Sequence, residues 1–478
     1  MTTVLWFARD LRLGDNPALS AALVRGGPIV PLFILDDADA GEWAPGAASR
    51  WWLEGSLAAL AESLRRRGAP LILRRGPALE VIERLLGETG ADAVYWNRSY
   101  EPWARARGER VKAALKSRGV EARSYNASLL AEPWEILTQK DEPYRVFTPF
   151  WNALRAREVG ATTAAPDVIP GPENPPESET LADWRLRPTA PDWAKGLRAA
   201  WTPGEDAARE RMAEFSSAVF DYRERRDFPA IEGTSRLSAH LHFGEIGPRQ
   251  AWRAAVEGAL ALRGSAGHPG LEAFLREIAW REFSRHLLFH FPDLPARPLR
   301  PEFEAFPWLE DAPALEAWRR GRTGYPIVDA GMRELWATGW MHNRVRMIVA
   351  SFLVKDLLID WRVGAAWFWD TLVDADLANN SASWQWVAGC GADAAPYFRI
   401  FNPALQGAKF DPEGRYVRRW VPEIAELPDR LLHAPGNAKP EELAAANLRL
   451  GRDYPAPIVD HAGARRRALA AFQRLKEG

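Results

Sequence analysis

Cysteine is almost missing: Cys390 is the only one in 478 residues. That scarcity excludes intrachain disulfides, zinc held by several thiolates, and an iron–sulfur cluster ligated by four cysteines of this chain. A reducing, cytoplasmic compartment is expected. No run approaches the roughly 20 apolar residues of a membrane helix, and Met1–Asp10 shows no charged region followed by an apolar stretch. A soluble, unexported protein is therefore expected. Charge of one sign is also lacking. With 62 Lys and Arg against 63 Asp and Glu the formal charge is −1, so any nucleic-acid contact must come from a local basic face. There is no internal repeat and no charge block.

Several signatures are absent as well. The first apolar run leads into Ala8-Arg9-Asp10-Leu11-Arg12, where a dinucleotide site would place G-x-G-x-x-G. Neither G-x-S-x-G nor G-x-x-x-x-G-K occurs. Gly389-Cys390-Gly391-Ala392-Asp393-Ala394 matches G-x-G-x-x-A in letters, but no strand precedes it. His286 and His290 have metal-pair spacing without the Glu of H-E-x-x-H or an evident third ligand, so packing or surface roles are expected.

What is present divides the chain. Val4–Phe7, Ile29–Leu35, Leu71–Leu73, Ala93–Trp96 and Val120–Tyr125 read as strands separated by amphipathic stretches such as Ala48–Arg67, the pattern of a Rossmann-like parallel α/β domain. From about Val159 to Pro203 the sequence turns polar and Pro-rich, an interdomain connector. Helical periods follow, among them Gly270–Phe291, Pro326–Trp340 and Asn343–Trp361, and an all-helical domain is expected. The expected division is an α/β domain over 1–130, a long linker over 131–203 and a helical domain over 204–478.

Polar clusters inside that helical part point to chemistry. Gly233-Thr234-Ser235-Arg236-Leu237-Ser238 offers hydroxyls and backbone N–H groups that suit a diphosphate or simply cap a helix. Phe274–Phe283 sets Glu277, Trp280 and Arg281 within about one helical turn, either a base-binding group or a surface pair beside a core indole. Asn343 and Met347 share a helical face, as a heterocycle wall or as core filler. Asp374, Asp376, Asn379 and Asn380 precede Trp384-Gln385-Trp386, and so polar a group must face water, cap a helix or hold a polar ligand. Tryptophan occurs 23 times, several copies beside Asn and Asp rather than among aliphatics.

With GWMHNRVRM, DWRVGAAWFWD, DADLANNSASWQWVAG and DAAPYFRIFNP between Gly339 and Asn402, the chain resembles the photolyase and cryptochrome family throughout, most strongly from Asp221 to Glu423. The resemblance implies FAD folded into a U in the helical domain, held by Tyr222, Thr234, Ser235, Arg236, Leu237, Ser238, Phe274, Asn343, Arg346, Asp374 and Asp376, with Asn380 facing flavin N5. Phe274 stands where one branch has a flavin-stacking Trp. Glu277, Trp280 and Trp386 match the family's dimer pocket. Trp384, Trp361 and Trp308 match its electron chain, with Trp367 or Trp369 as alternatives to Trp308. Arg226, Arg281, Arg344, Arg399, Lys409 and Gln406 match the face that grips phosphates around a lesion. Asn97–Ala104 lacks the Asn-Glu pair that holds folate in some relatives, which leaves the antenna as methenyltetrahydrofolate bound differently, a deazaflavin, or none.

The activity implied is light-driven splitting of cyclobutane pyrimidine dimers. Excited reduced FAD passes an electron to a flipped-out dimer, the ring opens and the electron returns, with no metal. Glu277 would hydrogen-bond the thymine edge, and Trp280 and Trp386 would wall it. Asn343 and Met347 stand where enzymes for (6-4) photoproducts place His, which points to the cyclobutane lesion. Damaged DNA is the expected partner of a monomer that is nucleoid-associated when bound. The rival class is a cryptochrome-like blue-light photoreceptor, against which stand Asn380 and the expectation that the chain ends where the flavin domain does. A flavin electron-transfer protein without a DNA role leaves the Glu277 pocket unexplained.

Overall fold

The computed structural model describes residues 1–394 and 399–477. It resolves into two compact units. One comprises Met1–Phe220, Ser235–Pro292 and Val373–Ala378; the other comprises Asp221–Thr234, Asp293–Leu372 and Asn379–Gly478.

In the first unit five parallel strands, β1 (Thr3–Phe7), β2 (Ile29–Leu35), β3 (Ile72–Arg75), β4 (Ala93–Asn97) and β5 (Glu121–Tyr125), form one sheet in the order β3-β2-β1-β4-β5. They fall within a residue or two of the apolar runs expected. Helices link successive strands and cover the sheet, so β1 reads TVLWF with every residue buried. Val4, Trp6, Val30, Leu32, Val94 and Trp96 pack with Val81 and Leu85 of the helix Ala78–Thr89 and with Val111 and Leu115 of the helix Pro102–Ser117.

The segment that replaces a glycine-rich turn after β1 is tied down by side chains. Asp10 accepts from Ala8 N at 2.7 Å and from Asn97 Nδ2 at 2.6 Å. Arg12 is 1% exposed, and its guanidinium donates to the carbonyls of Gly14 (2.9 Å), Gly244 (3.0 Å), Asp15 (2.7 Å) and Ala127 (2.8 Å). Part of the Pro-rich connector runs along β3. Glu179 N donates to Leu73 O at 2.9 Å, Leu73 N to Ser178 Oγ at 2.9 Å, and Arg75 pairs with the Glu179 carboxylate at 2.6 Å. A sheet edge is thereby closed to other chains.

The rest is helical, as expected, with helices at Pro269–His290 and Pro326–Thr338. The stretch Asn343–Trp361, expected as one helix, is broken instead. An α-helix runs over Asn343–Ser351, a π-turn over Phe352–Asp356, and a new helix begins at Trp361. Leu358 takes φ +54°, and Asp360 caps the new helix by accepting from Arg362 N at 2.9 Å. Residues 351–359 are all buried, Lys355 and Asp356 included, so burial continues through the break. Among the described residues no helix is long and apolar enough to cross a membrane.

Replacing Arg12 by Met strands four buried carbonyl acceptors. A loss of about 3–5 kcal/mol is expected in urea unfolding of the N-terminal sheet. Arg12→Lys recovers only part of it, because an ammonium lacks the planar fork.

Candidate functional site

The first unit gathers one set of the residues singled out in the sequence. Glu277, Trp280 and Arg281 lie on the helix Pro269–His290, begun by Pro269 and by His268, whose side chain accepts from Gly270 N at 3.1 Å. Trp280 is half-buried and stacks on Phe147 at a centroid separation of 3.6 Å and an interplanar angle of 6°. One indole face is thus fixed by protein. Phe274, nearly two turns before Trp280, is buried against Phe215 at 4.7 Å. Glu277 is half-buried.

The hydroxyl-rich turn straddles the two units, with Thr234 in the second and Ser235 in the first. It is narrow: a Cβ on Gly233 would lie 2.7 Å from Arg225 O, so only glycine fits this approach. Arg236 takes φ +52° and lays its guanidinium over Trp201 at 4.3 Å. A non-glycine residue in that region is uncommon and is retained where surroundings demand it. Leu237 is buried, while Ser238 is exposed at the start of the short helix Ser238–Phe243.

Asp374 and Asp376 are buried in the same unit. Asp376 Oδ2 accepts from Arg285 Nη2 at 2.7 Å and lies 3.4 Å from His242 Nδ1. Burial raises its pKa, but the charge of Arg285, the His242 hydrogen bond and Arg281 outweigh that and hold it well below 3.8. Burial and the charge of Arg9 push His242 below its ordinary 6.5 against the pull of Asp376. Asp376 is therefore an anion beside a neutral imidazole at physiological pH. Arg285 Nη1 is buried without an acceptor among the described residues, a donor left for a ligand. Neither Arg285 nor His242 was among the expected site residues. They lie 91 and 134 positions from Asp376, with no local pattern joining them.

Arg281 differs from expectation. It does not join a phosphate-gripping face: its side chain is 8% exposed, and it donates to Ser128 O at 2.8 Å, Glu282 Oε1 at 3.0 Å and Leu241 O at 3.4 Å. Burial and Arg285 push it down to about 9, while Glu282 is pushed up to about 7 chiefly by burial. Helical spacing placed Arg281 one turn from Glu277, but residue 281 faces the loop after β5 rather than solvent.

The other expected residues belong to the second unit. Asn380 sits on the helix Leu377–Ala388 and donates from Nδ2 to Ala365 O at 3.0 Å, which leaves its amide oxygen as the acceptor it offers. Trp384 and Trp361 are 2% and 1% exposed. The Trp384 ring meets Phe368 at 5.0 Å and Trp318 at 6.4 Å. Gly364 makes room for it, since a Cβ there would lie 2.1 Å from Trp384 Cη2. Trp308 is half-buried, tilted on Phe306 at 4.4 Å. Of the alternatives to it, Trp367 stacks at 6.0 Å on the exposed Trp336, while Trp369 is buried. Trp386 is half-buried.

The basic and polar candidates are spread over that unit's helices and loops. Tyr222 is buried, with the Arg226 guanidinium over its ring at 5.2 Å. Asn343 is exposed, at the start of the helix Asn343–Ser351. Arg344 pairs with Asp227 at 2.8 Å and covers Phe410 at 4.4 Å. Its Nη1 reaches Met347 Sδ at 4.0 Å. Arg346 donates to Met341 O at 2.7 Å. Arg399 and Lys409 are exposed and Gln406 half-exposed. Residues 395–398 of the DAAPYFRIFNP segment lie outside the described residues. Gly389, Cys390 and Gly391 all donate backbone N–H groups to Gln385 O at 3.0 Å, which closes a helix and explains the literal nucleotide-turn match. His286 Nε2 accepts from Tyr144 N at 3.0 Å, and His290 Nε2 lies 3.2 Å from Pro133 O.

Three outcomes follow from this geometry. Because the pKa of folded Asp376 is depressed, its contribution is complete above about 3.8 and is lost only as pH falls below that. Arg285→Met leaves the carboxylate buried without its counter-ion and should cost about 3–5 kcal/mol at pH 7, with pH-dependent loss moved upward from the acid range; Asp376→Asn should flatten acid unfolding below about pH 4. Chemical unfolding at a series of pH values measures both. Gly364→Ala should cost about 1–3 kcal/mol through overpacking and should shift the fluorescence of the displaced Trp384 indole.

A family model described as the FAD binding domain of DNA photolyase matches residues 274–474, and one described as DNA photolyase matches residues 3–170. The chain is 50% identical over 479 residues to the deoxyribodipyrimidine photo-lyase of Agrobacterium fabrum, covering 99% of this chain and 98% of that one. It is 41% identical to cryptochrome-1 of Arabidopsis thaliana, covering 97% of this chain and 69% of the cryptochrome. Its fold matches the crystal structure of a bacterial class III photolyase from Agrobacterium tumefaciens with a TM-score of 0.96 at 50% identity, covering 100% and 98% of the two chains. A sheet of five parallel strands, a helical remainder and relatives matched from end to end agree, and the chain belongs to the DNA photolyase and cryptochrome family, with that family's FAD-binding domain.

Proposed function

We propose that the protein is a light-driven lyase that splits cyclobutane pyrimidine dimers in DNA. The observation that carries this reading is Glu277 one turn from Trp280 on the helix Pro269–His290, with the indole held flat on Phe147. A carboxylate beside an immobilised aromatic wall suits a base edge and a base face at once. The 50% identity to a deoxyribodipyrimidine photo-lyase supports it.

The residues present fit FAD. The turn Thr234–Ser238 supplies hydroxyls and the left-handed Arg236 for a diphosphate. Asp376, kept anionic, and the free Nη1 of Arg285 supply an acceptor and a donor for polar ligand atoms, and Phe274 gives an aromatic wall. Tyr222, Asn343, Arg346 and Asp374 complete the proposed set, with the Asn380 amide oxygen assigned to flavin N5. Reduced FAD, when bound, supplies the light-excited electron that opens the dimer and is returned afterwards. The chain orients and desolvates: Glu277 accepts from the thymine edge and favours charge developing there, and Trp280 and Trp386 exclude water. Trp384, Trp361 and Trp308 are assigned to carry electrons inward. Arg226, Arg344, Arg399, Gln406 and Lys409, with Met347 beside Arg344, are assigned to the lesion's flanks; Arg281 is not. An α/β domain over 1–130, a linker over 131–203 and a catalytic domain over 204–478 complete the proposal.

A photoreceptor without repair is the second reading, favoured by the 41% identity to a plant cryptochrome. Purified, photoreduced protein should remove thymine dimers from an oligonucleotide under blue light and not in the dark. Glu277→Ala should lower repair at equal photon dose by about tenfold or more. Normal flavin reduction with no dimer loss would sink the lyase reading in favour of the photoreceptor.

A further inference from the structure

The last helix, His461–Glu477, carries a basic run that the repair reading does not use. Residues 461–476 include Arg465, Arg466, Arg467, Arg474 and Lys476 and not one acid, in a chain whose formal charge is −1. Ala464, Ala468 and Ala471 are buried. With about 100° between successive residues, the three alanines form one stripe, Arg466 and Lys476 fall on the far side of the helix and Arg465 and Arg474 on its two flanks, and all four are exposed.

This helix is firmly mounted. Asp460 Oδ2 accepts from Gly463 N at 2.8 Å, His461 Nδ1 lies 2.5 Å from Asp356 Oδ1, and Arg467 donates to Asp356 O at 2.6 Å. Phe472 meets Phe303 at 6.1 Å. Elsewhere in the same unit Arg297 pairs with Glu304, Arg300 with Glu302 and Arg362 with Asp360. Among the described residues, Arg465, Arg466 and Arg474 have no carboxylate within ion-pairing distance. Arg465 and Arg466 also sit in the first turns, where cations oppose the helix dipole. Fixed, unpaired and locally costly, this charge calls for an anionic partner.

We propose that the exposed face of the helix His461–Glu477 binds the sugar–phosphate backbone of duplex DNA, as a contact additional to the lesion-gripping set. The inference rests on the reading of the protein as one that works on DNA. From Arg465 to Lys476 the cations span about 16 Å of helix axis, enough to meet several phosphates of a duplex carrying one charge per about 1.7 Å. The contact is sequence-independent, since it is made by point charges and guanidiniums without base-edge geometry. An anionic membrane is the poorer partner. The alanine face is buried, which leaves no apolar side to insert among acyl chains.

The test uses the full-length holoprotein with Arg465, Arg466 and Arg474 changed together to Gln, and in parallel to Lys; Lys476 is left in place because it covers Phe472 at 4.7 Å. Fluorescence anisotropy on an undamaged duplex over a salt series gives affinity and salt slope. The Gln variant should bind about tenfold more weakly at low salt, with a slope shallower by about 2 to 3. The Lys variant should keep both, and unchanged melting of each variant shows that the helix survives. Unchanged affinity and slope in the Gln variant overturn the proposal. So does a Gln variant that loses phosphatidylglycerol vesicles while holding duplex as before. Dimer repair under saturating light and substrate separates the two readings: if the parent repairs nothing yet the slope changes as stated, the lyase reading fails and the DNA contact stands.

Discussion

The buried ion pair between Arg285 and Asp376 is the interaction on which the site's part in the first unit depends. Asp376 belongs to Val373–Ala378, a short late segment that packs with the first unit although its neighbours on either side belong to the second. An ionised carboxylate removed from water is costly unless a counter-charge and hydrogen bonds replace the solvent. Arg285 and His242 supply both. They come from the helix Pro269–His290 and the helix Ser238–Phe243, so one acid ties together three stretches that the chain presents far apart. The same pairing keeps the acid ionised, which is the state a ligand donor needs.

Aromatic packing provides the second constraint. Indoles are large and rigid, and each must be accommodated by what surrounds it. Trp384 occupies space that Gly364 leaves open. Trp280 lies flat on Phe147 rather than turning in its groove. Neither Gly364 nor Phe147 carries any functional group, yet they decide where the indoles point. The electron and base-stacking chemistry proposed for the site would need that fixity more than acids and bases, because distance and ring orientation are the quantities it would control.

Arg281 and the helix break after Ser351 show where sequence periodicity misleads. Spacing of three and four places residues on a common helix face, but it does not say which face meets solvent. Arg281 shares its turn with Glu277 and is nonetheless enclosed by Ser128, Leu241 and Glu282. The break at Phe352–Asp356 lies within wholly buried sequence without a proline, and the two charged residues in it, Lys355 and Asp356, are buried as well. Asp360, the cap of the next helix, is the one local sign.

By itself the sequence determined the strands of the parallel sheet, the helical character of the second half, the Pro-rich stretch between them and the residue types of the site, because these rest on local period, composition and short motifs. It also carried the family, through motifs that lie within short windows. Only the tertiary structure decided which groups complete those motifs. Arg285 and His242 for Asp376, Phe147 for Trp280 and Gly364 for Trp384 are each separated from their partners by more than any periodicity can bridge. Charge shows the same division: the sequence records near-neutrality, whereas folding pairs many arginines with carboxylates and leaves others, Arg465, Arg466 and Arg474 of the last helix among them, facing water. Burial and pairing are properties of the packed chain, and that is why local sequence could not supply them.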